Sequence, residues 1–185
     1  MKITHRALTA ALLGLSLAAG AATLLKTDPA KTSVSAVFKQ MNVPVEAKFK
    51  KFSIVIDYNA TKPDASKATV DIETASLDLG DPDMNKEVAK KDWFNSPQFP
   101  KASFVSSAIA TAGPGKLNVT GKLSIKGKTV DVTFPLSVKT EGKNQVFDGS
   151  LPIKRLAFNI GEGEWKDTSM VADDVTIKFH VTAAQ

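Results

Sequence analysis

The chain has no cysteine, two histidines and one tyrosine. Without thiols there can be no disulfide, no thiol nucleophile and no cysteine-ligated metal, so the fold must hold together by packing. After Ala21, no apolar run is long enough to span a bilayer. There is no P-loop, no GxGxxG and no GxSxG elbow to present a serine. Gly161-Glu162-Gly163 is too short a glycine cluster to cradle a phosphate. Asp173-Asp174 and Asp81/Asp83 lack the spacing of a calcium loop and read as turn and cap residues. His180 falls on the polar face of the last strand, where an isolated histidine reads as a surface residue. These absences leave no positive sign of catalysis and no metal site or cofactor.

Charge adds little. The net charge is +5, and removal of Lys2 and Arg6 with a leader would take it to +3. Lys39, Lys48, Lys50, Lys51, Lys90, Lys91 and Lys101 could attract an anionic surface, but the strand lysines alternate with apolar residues and read first as a solvated face. An exported chain without a basic stripe does not suit nucleic acid.

Export is written at the start. Lys2, His5 and Arg6 precede the apolar run ALTAALLGLSLAAGA, and Ala19-Gly20-Ala21 is an A-x-A cleavage site. Residues 1–21 are expected to be a signal peptide and 22–185 one mature domain in the periplasm.

The mature chain alternates with period two. Val34, Ala36 and Phe38 share one face. Val43, Val45, Ala47 and Phe49 share another, and after Lys50-Lys51 the frame slips to Phe52, Ile54, Ile56 and Tyr58. Such a slip marks a bulge or bend in one long strand. Val70 and Ile72, then Ala102 and Phe104, begin further strands. Leu117–Ile125 turns at Gly127-Lys128 into Val130–Val138, and Phe147–Ile153 and Val175–Val181 complete the set. Asp81, Pro82 and Asp83 cap a single short helix, with Lys90 and Lys91 in its last turn and Met84 and Val88 on its buried face. The pattern predicts an all-β fold of about eight antiparallel strands with one helix insertion. Closure into a barrel manages every edge, and an open sandwich is the alternative. The inward residues could form either a filled core or a ligand pocket.

The segment KKDWFNSPQFPKASF gathers Trp93, Phe94 and Phe99 around two prolines. It fits neither helix nor strand, and its rings could anchor the helix to the barrel or line a pocket mouth. Phe99 reads as an anchor and Phe94 as a pocket contact, with Trp93 open between the two roles.

These residues carry a resemblance. Asp28-Pro29-Ala30 with SVSAVF, VPVEAKFKKFSIVIDY, DWFNSPQFPKASF, TGKLSIKGKTVDVTFPL, KRLAFNIGEGEW and VADDVTIKFHVTA resemble, in order and spacing, the YceI-like family of exported bacterial lipid-binding proteins. The resemblance implies a lipocalin-like eight-stranded antiparallel β-barrel around a long apolar pocket. It implies a polyisoprenoid or other long-chain lipid as ligand, in some members an isoprenoid quinone, and a membrane surface or cytochrome b561-type protein as partner. Family glycines stand here as Ala47, Ile54 and Asn159, and family histidines as Lys31 and Lys126. Ala47 and Ile54 add side-chain volume near the bend, and Asn159 tolerates a left-handed backbone. The expected pocket residues are Phe38, Val45, Phe49, Ile56, Ile72, Phe94, Phe104, Leu123, Phe134, Leu151, Ile177 and Phe179. The competing readings are a hydrolase, disfavoured by the scarcity of histidine and cysteine, and a non-catalytic stress or partner-binding barrel with a filled core.

The cleavage reading predicts a mature N-terminus at Ala22. Sequencing the periplasmic protein checks it, and an intact Met1 on a membrane-bound form would refute it.

Overall fold

The computed structural model describes residues 22–184; the predicted leader lies outside them. Alternation does what period two requires, and every strand pairing is antiparallel. The strands are β1 (Thr23–Thr27), β2 (Ser33–Gln40), β3 (Val43–Phe49), β4 (Phe52–Tyr58), β5 (Lys67–Glu73), β6 (Leu77–Asp78), β7 (Lys101–Gly113), β8 (Lys116–Ile125), β9 (Lys128–Glu141), β10 (Asn144–Lys154) and β11 (Val171–Ala184). Six of these pieces form three interrupted strands. β1 and β2 lie end to end against β11, β3 and β4 continue one another, and β5 and β6 do the same. The result is a closed eight-stranded barrel, so the open sandwich is set aside.

The three interruptions sit side by side. Pro29–Lys31 forms a 3-10 turn between β1 and β2, with Asp28 Oδ1 capping the Ala30 N–H at 3.0 Å. Lys50-Lys51 separates β3 from β4, and Thr74–Ser76 forms a second 3-10 turn between β5 and β6. Cross-bonds replace the lost ladder there: Lys50 N–H donates to the Ser76 carbonyl and Glu73 N–H to the Lys51 carbonyl, both at 3.0 Å. The frame slip at Lys50-Lys51 is thus a corner that lets the sheet curl.

The hairpins follow their turn residues. Met41-Asn42 and Lys126-Gly127 have positive φ at both central positions, the geometry that continues strand twist. The second turn lies one residue earlier than Gly127-Lys128. Two expectations need correction at strand starts. β1, with no long alternation of its own, was not anticipated. Asp173 and Asp174 belong to the bulged start of β11 rather than to a turn; Asp173 accepts the Leu156 N–H at 2.9 Å and Asp174 pairs with Lys154 at 2.7 Å.

The helix, α1 (Pro82–Val88), begins as its sequence predicts. Asp81 Oδ1 accepts the N–H groups of Asp83 and Met84, and these bonds hold its carboxyl below the usual range. It ends earlier than expected, so Lys90 and Lys91 fall in the following turns. Met84 and Val88 both border the interior, but Met84 stays 42% exposed, because α1 covers an end of the barrel rather than its wall.

At mid-barrel three rings stand in a row. Phe134 meets Phe104 and Phe179, each at a centroid distance of 5.4 Å in edge-to-face geometry. Two inward glycines make room. A Cβ on Gly121 would fall on the Val105 carbonyl oxygen and 2.6 Å from Phe104 Cε2, and one on Gly149 would strike the Phe179 ring. Gly121→Ala should therefore destabilise the fold by about 1–3 kcal/mol through overpacking. A urea midpoint unchanged from the parent would refute this account of the glycine.

Candidate functional site

The inward faces of the ring enclose one long interior cavity of about 280 Å³. Its walls are almost wholly apolar, from Tyr58, Ile109, Leu117 and Phe147 at the β1/β4 end, past the phenylalanine row, to Phe49, Leu79, Val88, Trp93 and Phe94 under α1. Two outer grooves are larger, about 700 and 670 Å³, but they are open to water. One of them collects Lys48, Lys50, Lys51 and Lys101 beside Asp71, Glu73 and Asp78. There Lys50 pairs with Asp78 at 2.7 Å, Lys51 with Glu73 at 3.4 Å and Lys101 with Asp71 at 3.5 Å. These lysines answer neighbouring carboxylates, as a solvated face does. The Lys50 bond and those from Asn85 and Gly80 lower the Asp78 carboxyl to about 2.

Eleven of the twelve expected pocket residues line the cavity: Phe38, Phe49, Ile56, Ile72, Phe94, Phe104, Leu123, Phe134, Leu151, Ile177 and Phe179. Val45 does not. It shares the face of Phe38, its cross-strand partner, but lies toward the Met41-Asn42 turn, beyond the Lys48 and Phe49 pairs that tie β3 to β6. Of the departures from the family pattern, Ala47 is fully buried and Ile54 lines the cavity. Asn159 takes the left-handed conformation, at φ 57°.

The aromatic segment after α1 closes one end. Tight turns form it: Phe94 N–H donates to the Val88 carbonyl at 3.0 Å and Phe99 N–H to the Asn95 carbonyl at 2.8 Å. The buried Thr74 hydroxyl bonds Ser96 Oγ and the Phe99 carbonyl, both at 2.9 Å, and so fixes the segment to the barrel corner. Phe94 lines the cavity and meets Phe49 edge-on at 6.4 Å. Phe99 stays outside it, its Cε1 lying 3.0 Å from where a Cβ on Gly127 would stand, and serves as an anchor. Trp93 lines the cavity and packs against Trp165 at 5.3 Å.

Arg155 completes this end, and sequence reasoning missed it. It is 2% exposed, and its guanidinium spends every N–H on backbone carbonyls. Nε donates to Ala172, Nη1 to Ile160 and Gly161, and Nη2 to Trp165 and Val171, at 2.7–3.2 Å. Its charge also stands over the Trp93 ring at 5.7 Å. Burial pulls its pKa below the ordinary guanidinium value, opposed by Asp173. An arginine just past a strand, before a glycine-rich loop, was the only available signal. Trp165, in the same loop, was missed for the same reason.

His180 faces outward, with Nδ1 2.6 Å from Asp148 Oδ1. No group of three or more potential metal ligands occurs among the described residues. The site is a long, almost wholly apolar space, and what it offers chemically is the shielding of apolar groups from water.

The comparisons agree with this geometry. The YceI-like domain family matches residues 25–183. Burkholderia cenocepacia BcnA is 57% identical, covers 86% of this chain and 100% of its own, and superposes with a TM-score of 0.84. A polyisoprenoid binding domain from Saccharophagus degradans shares the fold at 13% identity, covering 88% of this chain and 98% of its own, with a TM-score of 0.68. A UPF0312 protein of Pseudomonas putida is 36% identical over 100 residues, 54% of this chain. The match spans about half the length of that curated relative, 52%.

Arg155→Lys should destabilise the protein by more than about 2 kcal/mol. An ammonium group has three donors and cannot reach all five carbonyls, so at least two are left buried and unpaired. Thermal denaturation checks this; a melting point equal to the parent's would show the five bonds to be dispensable.

Proposed function

The chain belongs to the YceI-like domain family, and from that premise we propose that it is a periplasmic carrier holding a long-chain apolar lipid, a polyisoprenoid or isoprenoid quinone, inside its barrel. The observation that carries the reading is the apolar cavity running from Tyr58 to Trp93 through the middle of the ring. Transfer of a lipid chain from water into such a space gains about 0.8 kcal/mol per buried methylene, before the costs of ordering. A few isoprene units suffice for useful affinity. The process is partition, without bond making, so the protein needs no base, nucleophile or metal. The leader-like start of the sequence supports export, and a fold shared with a polyisoprenoid binding domain supports the ligand class. A membrane surface or a cytochrome b561-type protein would be the point of loading or delivery.

A stress or partner-binding barrel with a filled core is the second reading, and the interior cavity argues against it. The two are separable at Phe134. In a filled core Phe134→Ala should cost about 3–5 kcal/mol. Beside an existing cavity the loss should be smaller, and affinity for a fluorescent polyprenyl analogue should change more than stability. Phe134→Trp should fold and obstruct the lipid. Native mass spectrometry of protein from its own periplasm should reveal a co-purifying lipid. A protein that carries none, binds no analogue and loses stability heavily in both variants would sink the carrier reading.

A further inference from the structure

Of the residues that line the interior cavity, Met84 alone is exposed. A side chain that meets both the cavity and water marks where the one opens to the other. β3 shows why the opening is there. It pairs with β6 only through Lys48 and Phe49, so residues 43–47 have β2 on one side and no strand on the other. α1 follows β6 and borders that side. Asn85 ties it to the end of β6: Oδ1 accepts the Leu79 N–H at 2.8 Å and Nδ2 donates to Asp78 at 3.0 Å. Val43 and Val45 have inward parity, opposite Gln40 and Phe38, which line the cavity. Neither valine lines it, and Val43 is 62% exposed. The inner apolar face of the β2–β3 hairpin therefore runs out past the cavity into solvent.

The hairpin tip continues this surface. Met41, Asn42, Val43 and Pro44 are consecutive exposed residues without a charge. The Met41 N–H donates to the Met170 carbonyl at 2.8 Å, which sets the exposed Met170 beside them. Methionine is ordinarily a buried residue. Here the three that follow Met1 are Met41, Met84 and Met170, and all three are exposed at this one end of the barrel. The other exposed large apolar residues, Leu24, Val55, Val105 and Val130, are spread over β1, β4, β7 and β9. The charges of the hairpin favour an anionic surface. Lys39 and Lys48 flank the tip and make no ion pair among the described residues. Glu46 between them accepts the Ser35 hydroxyl at 2.7 Å, and two lysines against one glutamate leave the hairpin positive. Exposed apolar groups beside lysines insert at the headgroup boundary of a bilayer, and flexible thioethers adapt to a surface without fixed shape.

We propose that Met41, Val43, Met84 and Met170 form a docking rim that seats the barrel on an anionic bilayer. The gap between β3 and α1 then faces the membrane, and a lipid passes between bilayer and cavity without crossing water. This rests on the carrier reading above and names its partner and point of entry.

The test floats residues 22–185 with vesicles of phosphatidylethanolamine and phosphatidylglycerol, and the protein should rise with them. Met41→Asp combined with Val43→Glu should lower vesicle affinity about tenfold, and slow uptake of a fluorescent polyprenyl analogue from the vesicles by a similar factor. Both positions are exposed, and aspartate tolerates the positive φ of Met41, so the urea midpoint should not move. Val105→Glu, on the outer wall, should bind vesicles as the parent does. Hydrogen peroxide gives an arm free of mutation: each thioether takes one oxygen, water is left, and the sulfoxides should release the protein from the vesicles. Parent protein that stays unbound, a folded double variant or an oxidised protein that binds as the parent does, or Val105→Glu that binds as weakly as the double variant would each overturn the rim. A parent dimer that the double variant breaks, without vesicle binding, would assign the face to a second copy instead. Uptake of the analogue from solution by a protein that binds no vesicle would sink the docking face and leave the carrier reading intact. Vesicle binding with no uptake from either source would sink the carrier reading and leave the docking face.

Discussion

The interior exists because the ring closes, and the ring closes through a short seam. β1 supplies it: Leu25 pairs with Ile56 on β4, while Lys26 and Thr27 pair with Ala184 and Ala183 on β11. Without those pairs β4 and the end of β11 would be free edges, and the inward apolar faces would have no common inside. The seam can be short because β11 is shared. Its first part pairs with β2 and its last residues with β1, so one fourteen-residue strand ties both halves of the bent first strand. Closure also explains the corner at Pro29–Lys31, Lys50-Lys51 and Thr74–Ser76, where three neighbouring strands bend together and exchange backbone bonds across the break.

A barrel of eight strands is just wide enough for its side chains to fill it or to leave room for a ligand, and small choices decide which. Here Gly121 and Gly149 let the Phe104 and Phe179 rings lie flat along the wall, with Phe134 between them. The cavity lining continues on both sides of the row. At the far end Arg155 stitches the loop after β10 to the start of β11 through five carbonyls. Gly161 and Glu162 N–H groups bond the Asp92 carbonyl at 2.8 and 2.7 Å and join that loop to the aromatic segment after α1. One buried cation thus organises the whole end wall, including both tryptophans. It does so with backbone carbonyls alone as its hydrogen-bond partners, which leaves no free donor on the cation.

Such a site suits partition. Under the carrier reading proposed above, apolar walls would supply affinity that is indifferent to the detailed shape of a flexible chain. The outer surface adds little to this. Some of its charges are paired across neighbouring strands, as with Lys122 and Asp131 at 2.9 Å, and exposed pairs of that kind contribute little to stability.

The sequence by itself determined the strands, the bend and the helix start, because each is a local matter. Alternation assigns Phe38, Phe104, Leu123, Phe134 and Phe179 to an inner face, the frame slip at Lys50-Lys51 marks the corner, and Asp81 caps α1 through its own neighbours. Family resemblance carried the closed topology further than periodicity could. Tertiary structure decided the rest. Val45 has the right parity but lies on the part of β3 beyond its pairs with β6, outside the cavity lining even though Phe38 opposite it is part of that lining, and parity says nothing of which strands flank a residue. β1 is too short to announce itself by alternation and is a strand only because β4 and β11 offer it bonds on both sides. Arg155 looks like a surface charge until five carbonyls from the following loop and the start of β11 converge on it, and Trp93 became part of the cavity wall only when α1 and the turns after it folded over the open end. Whether an inward residue is core or pocket depends on the space left by all its neighbours at once, a property of packing that no single stretch of sequence contains.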